Sequence, residues 1–317
     1  MAATQSIPTV SLSDYASGDA ATRDRFVRTL GDGLREFGFL NVEGHGVEQQ
    51  LIRRVYDLWR QFFELDNATK QQYDQKRGGA RGYTAFGVEH AKDNPHPDLK
   101  EFWHVGQEPR DGKPLPSDYP ANVWPSEVPE LREPMVQLYR RLEDVAADLL
   151  RALADSFELP RETFAGMMDF GNSILRVIHY PVVPQGVEPG SVRAAAHEDI
   201  NLITLLCEST DSGLEILSRE GEWLPVQSGP GQIVVDAGDM LSRVTNEVVP
   251  ATTHRVVNPP DGSGRERYSM PFFVHPYSDC DLTILPRFVS EDRPPKYPPI
   301  TAGEFLEERL REIGLKK

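Results

Sequence analysis

Two histidines and an aspartate, His197, Asp199 and His254, are the residues of this 317-residue chain whose types and spacing best suit chemistry. Two imidazoles and one carboxylate bind a divalent metal, and on ferrous iron they leave half of an octahedron open. Zinc accepts the same donors. The spacing carries further information. Residues i and i+2 of a strand face the same way, so a strand over Ala194–Leu206 (AAAHEDINLITLL) projects His197 and Asp199 together and turns Glu198 away. A helix would instead pair its ligands at i and i+3 or i+4. His254 lies in a second β-like run, ATTHRVV, and Arg267 and Ser269 repeat the i, i+2 spacing in RYSMPFFV. Arg267 can grip a carboxylate through two parallel hydrogen bonds, with the Ser269 hydroxyl as a further donor. A lone His-x-Asp is usually a surface pair, and Arg-x-Ser alone means little. Together, in β-like sequence, they point to one site holding a metal, iron above zinc, and an organic acid.

These residues need a scaffold, and the rest of the chain predicts one. Ile7–Leu12 and Gly38–Val42 read as short strands. Apolar residues at helical spacing mark Thr22–Phe37, Val47–Leu65, Leu131–Phe157 and Thr301–Ile313 as helices, the third stopped by Pro160. Residues 109–129 read as a long loop. From Asn172 onward the chain becomes short β-like runs: SILRVIHYP, AAAHEDINLITLL, GLEILS, EWLPV, GQIVVDAGDML, ATTHRVV, RYSMPFFV and DLTILP. Gly238-Asp239 and Asp261-Gly262-Ser263-Gly264 are turn signals between them. The expected fold is mainly β with helical support: a jelly roll, or double-stranded β-helix, flanked by N-terminal and C-terminal helices. Residues 1–125 form a support region and 126–317 the long helix plus catalytic core, together one structural unit. His45, between Gly44 and Gly46, is expected to hydrogen-bond its own turn. Asp236 and Asp239 are expected to belong to a strand and turn and not to a second metal site.

A net charge of −15 argues against nucleic acid or an anionic membrane as partner. It also requires local positive charge to draw in an acidic substrate. Cys207 and Cys280 are too few for a disulfide framework and are expected to be free thiols. The first residues lack the pattern of a signal peptide, and no apolar run is long enough to span a bilayer. The expectation is a cytoplasmic monomer or weak homo-oligomer acting on a small molecule.

The order of these motifs, with GFLNVEGHGV, RGY at Arg81–Tyr83 and DLKE at Asp98–Glu101, resembles the isopenicillin N synthase-like family of non-haem iron and 2-oxoglutarate-dependent dioxygenases from Ile7 to about Leu310. The resemblance implies Fe(II) on His197, Asp199 and His254. It implies 2-oxoglutarate as co-substrate, its far carboxylate on Arg267 and Ser269 with Tyr180 donating, and O2 as oxidant. The implied reaction couples decarboxylation of 2-oxoglutarate to succinate and CO2 with hydroxylation or desaturation of a small organic substrate. Relatives that use iron without 2-oxoglutarate also carry Arg-x-Ser, there holding the substrate's own carboxylate. Many relatives have Asn where this chain has Ile178, so one co-substrate hydrogen bond is missing. The resemblance places Arg81, Tyr83, Phe86 and Trp103 at the rim as substrate contacts and Asn246 close to the iron. By strand parity Arg176 shares a face with Ile178 and Tyr180 and is available for an acidic substrate group. Phe273 shares one with Arg267 and Ser269 and is a candidate pocket wall, while His179 turns the other way toward core duty.

Overall fold

The computed structural model describes residues 6–75, 80–90, 96–109, 112, 114–117, 119–183, 186–187, 190–259 and 264–312. The turn signal at Asp261-Gly262-Ser263 lies outside them. In chain order the first region holds β1 (Thr9–Ser11), α1 (Leu12–Ser17), α2 (Ala20–Phe37), β2 (Phe39–Glu43), α3 (Gln49–Phe63), α4 (Asn67–Gln71), β3 (Gly82–Thr84) and β4 (Glu101–Gly106). The long helix α5 (Arg132–Ser156) and α6 (Glu162–Ala165) follow. The strands β5 (Ile174–Tyr180), β6 (Ala194–His197), β7 (Ile203–Leu206), β8 (Leu214–Leu217), β9 (Trp223–Pro225) and β10 (Ile233–Ala237) lead to α7 (Asp239–Val244). β11 (His254–Val256), β12 (Arg267–Ser269), β13 (Pro271–Val274) and α8 (Ala302–Glu312) complete the chain.

The strands form two sheets of a jelly roll. The larger runs β1-β2-β10-β7-β13-β5-β4-β3 with β12 also on β5, and the smaller runs β6-β11-β8-β9. β1 to β4 thus lie in the same sheet as the strands of the core. Directly opposed residues of an antiparallel pair share a face, so the registers sort the large sheet into two surfaces. One carries Phe39, Asp236, Thr204, Phe273, Arg176, Ile178, Tyr180, Phe102 and His104 and faces the small sheet. The other carries Leu40, Val235, Leu205, Phe272, Val177, Trp103 and Tyr83 and joins the core beneath the helices. Trp59, Phe62, Trp103, Tyr73 and Tyr83 form an aromatic cluster in that layer, ring centres 4.9 to 5.9 Å apart. Each buried aromatic there contributes roughly 2–3 kcal/mol by burial.

Local chemistry fixes the ends that matter. Asp19 caps α2, its Oδ1 accepting from Thr22 N at 2.8 Å. Gly38 ends the helix at φ 65°, a conformation glycine takes without penalty. A Cβ at Gly38 would lie 2.3 Å from Thr252 Oγ1, so the missing side chain lets the 250–252 segment dock, and Thr252 Oγ1 donates to Phe37 O at 2.7 Å. That segment delivers His254.

Several β runs are more broken than the sequence predicts. The run 194–206 is two strands in different sheets, β6 and β7, because the chain crosses between sheets at 198–202. The crossing is pinned by Asp239 N to Asp199 O (2.7 Å), Met240 N to Asn201 O (3.0 Å) and Gly238 N to Leu202 O (3.0 Å). RYSMPFFV splits at Met270 ahead of Pro271, which has no N–H for the ladder. GQIVVDAGDML is β10 followed by α7. DLTILP is no strand: Asp281 Oδ1 accepts from Thr283 N at 2.8 Å, and this local bond replaces a ladder bond.

Candidate active site

His197 and His254 stand directly opposite each other on β6 and β11. Their ring centres are 4.5 Å apart. Nδ1 of His197 donates to Ala195 O at 2.8 Å, and Nδ1 of His254 to Thr252 O at 3.1 Å. A carbonyl only accepts, so these bonds fix the tautomer and leave both Nε2 lone pairs bare. Both point at Asp199 Oδ1, at 3.7 Å from His197 and 3.8 Å from His254. The three donor atoms lie within 4.8 Å of one another, the spacing of a metal's ligands. Asp199 is not on β6. It leaves the strand at the crossing turn and still converges with His197, so the i, i+2 reasoning reached the right pair through the wrong local structure.

Around Asp199, Thr204 Oγ1 donates to its Oδ2 and accepts from Asn201 Nδ2 at 2.7 Å. Such partners orient a ligating carboxylate. Asp236 lies on the same sheet face, and burial together with the Asp199 charge pushes its carboxyl well above the usual range. It stands on β10, the strand duty the sequence predicts, with Asp199 beside it. Burial, then the neighbouring His254, lowers His197 to about 4. His254 also meets the edge of Phe39, 5.6 Å between ring centres.

Arg267 and Tyr180 are paired across β12 and β5, as are Ser269 and Ile178. The Arg267 guanidinium is 1% exposed, 5.0 Å from the centre of the Tyr180 ring. Its Nε donates to Asp211 O at 3.1 Å, and its Nη1 has no partner. A buried N–H without an acceptor is costly, and a carboxylate would relieve it. Ile178 packs with Phe102, Tyr180, Ala194 and Val256, so apolar contact stands where many relatives have an amide.

Arg176 lies on the face of the large sheet turned toward the small sheet, as parity predicts, but its charge is taken. Glu89 receives Nη1 at 3.1 Å and Nη2 at 3.2 Å, and Nε meets His104 Nε2. Lys100 binds Glu89 at 2.7 Å and Asp98 at 2.8 Å. Asp98 in turn accepts from Ala195 N at 3.0 Å, two residues before His197. Burial opposes ionisation of Glu89, but Arg176 and Lys100 outweigh it and hold the carboxyl far below its usual range. A cation already shared by a bidentate carboxylate is not free for an acidic substrate. Arg176 also lies 5.1 Å from the Phe273 ring centre, the two side chains sharing one face of the large sheet.

The expectations for Trp103, Tyr83 and Asn246 fail. Trp103 and Tyr83 point into the helix-side core; Tyr83 donates to Glu101 at 2.5 Å, and neither reaches the cavity. Alternation on β4 decides this, since Phe102 and His104 take the cavity face. Phe86 is 41% exposed and joins no core cluster. Asn246 is far from a ligand's partner: its amide bonds Phe288 O, Pro294 O and Lys296 N and ties down the segment before α8. His45 does what was expected, its Nδ1 accepting from Val47 N within the turn at 3.1 Å, and its Nε2 also donates to the distant Gly231 O at 2.8 Å. His179 sits between Glu101 and Glu266 and stacks on Tyr268. Cys207 and Cys280 are both buried and free. The sequence gives no sign of Glu89 and His104 as the partners of Arg176, beyond the place of His104 two residues from Phe102 on the same strand face. No helix among the described residues is long and apolar enough to cross a membrane.

Comparisons with known proteins agree with this geometry. Residues 7–127 match the N-terminal domain of the non-haem dioxygenase in morphine synthesis, and residues 171–276 match the 2OG-Fe(II) oxygenase superfamily. A 2-oxoglutarate-Fe(II) type oxidoreductase of Emericella nidulans is 31% identical, the alignment covering 94% of this chain and 88% of that protein. A 2OG-Fe(II) oxygenase family protein of Caulobacter crescentus superposes with a TM-score of 0.87 at 42% identity, over 98% of this chain and 100% of its own. A Neurospora crassa protein solved in complex with alpha-ketoglutarate superposes with a TM-score of 0.86 at 28% identity, over 96% of each chain. With the paired imidazoles, the carboxylate and the acid-seeking guanidinium in place, the chain belongs to the isopenicillin N synthase-like family of 2-oxoglutarate- and iron(II)-dependent oxygenases.

Proposed function

We propose that His197, Asp199 and His254 hold the iron, and that Arg267, Ser269 and Tyr180 receive the far carboxylate of 2-oxoglutarate. The observation that carries the assignment is the buried Arg267 guanidinium, with no acidic partner among the described residues and an orphaned Nη1, on the sheet opposite two bare imidazole nitrogens. When bound, iron and 2-oxoglutarate supply an oxidant able to break a C–H bond of the substrate. The chain's own residues do the rest. Thr204 and Asn201 orient Asp199, Ile178 and Phe102 keep water from the co-substrate, and Phe273 walls the space left for a small organic molecule. A structural neighbour captured together with alpha-ketoglutarate and thymine supports a small molecule as the substrate class. The outcome at the substrate is hydroxylation or desaturation. The charge of −15 favours neither nucleic acid nor an anionic membrane as partner, and two free thiols suit a reducing compartment such as the cytoplasm.

The test is anaerobic titration of the Fe(II)-loaded protein with 2-oxoglutarate, following the weak visible charge-transfer absorption of the chelate. Saturation is expected in the wild type. His197→Ala and Asp199→Ala are expected to lose iron, whereas Arg267→Ala keeps iron but needs at least ~10-fold more 2-oxoglutarate. Unchanged 2-oxoglutarate affinity in Arg267→Ala sinks the assignment.

A further inference from the structure

Arg81 is a buried cation that meets no anion among the described residues. It is 2% exposed, and its guanidinium lies over β4 at Gly106, where a Cβ would come within 2.0 Å of Nη2. Gly106 follows Phe102 and His104 on the cavity face and pairs with Ile174. Nη1 donates to Ala80 O at 2.6 Å and Nη2 to Asn172 Oδ1 at 3.2 Å, while Nε has no partner. The ionisable groups nearest in influence are the phenols of Tyr139 and Tyr119, and burial lowers its pKa. Among the described residues no carboxylate pairs with it. The other cavity cations differ. Arg176 and Lys100 are balanced by Glu89 and Asp98, and Arg267 is reserved for the co-substrate.

His275 completes the corner. It lies two residues beyond Phe273, and its backbone N donates to Ser173 Oγ at 3.2 Å, next to the Asn172 that holds Arg81. Its Nδ1 donates to Phe273 O at 3.3 Å, which leaves the Nε2 lone pair as an acceptor. A planar guanidinium with a free N–H edge matches a carboxylate, and a bare imidazole nitrogen matches a hydroxyl or N–H.

We infer that Arg81, positioned by Asn172 and the absent side chain of Gly106, selects the primary substrate, a small organic monocarboxylate whose hydroxyl or N–H reaches His275. The inference rests on the cavity being the substrate chamber of a 2-oxoglutarate oxygenase. A buried site built to hydrogen-bond one group rejects an analogue lacking it far more strongly than an apolar pocket does.

The experiment uses anaerobic protein saturated with Fe(II) and 2-oxoglutarate, so that Arg267 is occupied. Calorimetry compares phenylacetate, hexanoate and 4-hydroxybenzoate with phenylacetamide, hexanamide and 4-hydroxybenzamide. At least one acid is expected to bind ~10-fold or more tightly than its amide. Arg81→Met is expected to erase that ratio while 2-oxoglutarate affinity stays, and Arg81→Lys to retain part of it. If no acid binds saturably, if acid and amide bind alike in the wild type, or if Arg81→Met keeps the ratio, the subsite inference is overturned. The wild-type ratio decides even where Arg81→Met does not fold. Loss of 2-oxoglutarate binding in the wild type would instead overturn the oxygenase assignment beneath it.

Discussion

Replacing Glu89 by Gln tests whether the ion cluster beside the iron ligands holds the fold as its geometry implies. Glu89 meets Arg176 at 3.1 Å and Lys100 at 2.7 Å, with side-chain exposures of 12%, 15% and 6%. Each contact is worth about 4 kcal/mol of Coulomb energy at an effective dielectric of 20. Glutamine removes both attractions and leaves two buried cations facing Asp98 alone. Some of that loss is returned because the carboxylate no longer has to be desolvated. Removing one partner of a buried pair costs about 3–5 kcal/mol. Unfolding 317 residues at ~2.1 cal/mol/K per residue gives about 0.7 kcal/mol per degree, so Tm should fall by ~5–7 °C. Glu307→Gln is the control: its partner Arg311 is 3.2 Å away with the pair 57% and 47% exposed, and such a pair moves Tm by ~1 °C or less. The assay is thermal melting of the metal-free protein from pH 7 to pH 3. Glu89 has a lowered folded pKa, so its contribution is present above the unfolded carboxyl value and disappears as pH falls through the folded one. The gap between wild type and Glu89→Gln should therefore narrow below about pH 4.5. A gap under ~2 °C at pH 7, or one that persists unchanged at pH 3, refutes the reasoning.

Three further outcomes are expected. His275 is lowered to about 4 chiefly by burial, so the unfolded chain takes up a proton there that the folded chain refuses. Stability is full above pH 6.5 and declines toward pH 4, by on the order of 3 kcal/mol from this group; chemical denaturation of His275→Gln across that range should show a correspondingly flatter profile. Residues 126–317 alone should fail to give a cooperative melt, because removing β2 and β4 exposes the edges of β10 and β5; a sharp transition would mean the core folds independently. Burial pushes the Cys207 thiol up to about 12, so it should react with a thiol-specific disulfide reagent only after denaturation, and labelling of the native chain at Cys207 would contradict its placement.

The sequence made the site legible where chemistry and parity coincide. The donor atoms of His197, Asp199 and His254 gather, Arg267 stands opposite Tyr180 with Ser269 two residues on, and the helices α2, α3 and α5 fall within a few residues of their apolar stripes. Parity fails where a strand ends early. Asp199 escapes it because the 198–202 crossing is set by backbone bonds from α7, forty residues on, which no local pattern encodes. Rim residues were illegible for a different reason. Trp103 and Phe102 are adjacent, aromatic and buried, and only the register of β4 against β5 says which of them faces the cavity. The partner of Arg176 was hidden too, because Glu89 reaches it from outside any strand.

That register gives β5 two separate vocabularies. Ile174, Arg176, Ile178 and Tyr180 speak to whatever enters the chamber, and Leu175, Val177 and His179 speak only to the helix layer. Selection can therefore rewrite every second letter for a new molecule without disturbing the sentence that keeps the chain folded. A single-residue insertion would exchange the two sets and garble both. Lineages built on this strand should accordingly diverge by substitution along it and confine their length changes to the loops at its ends.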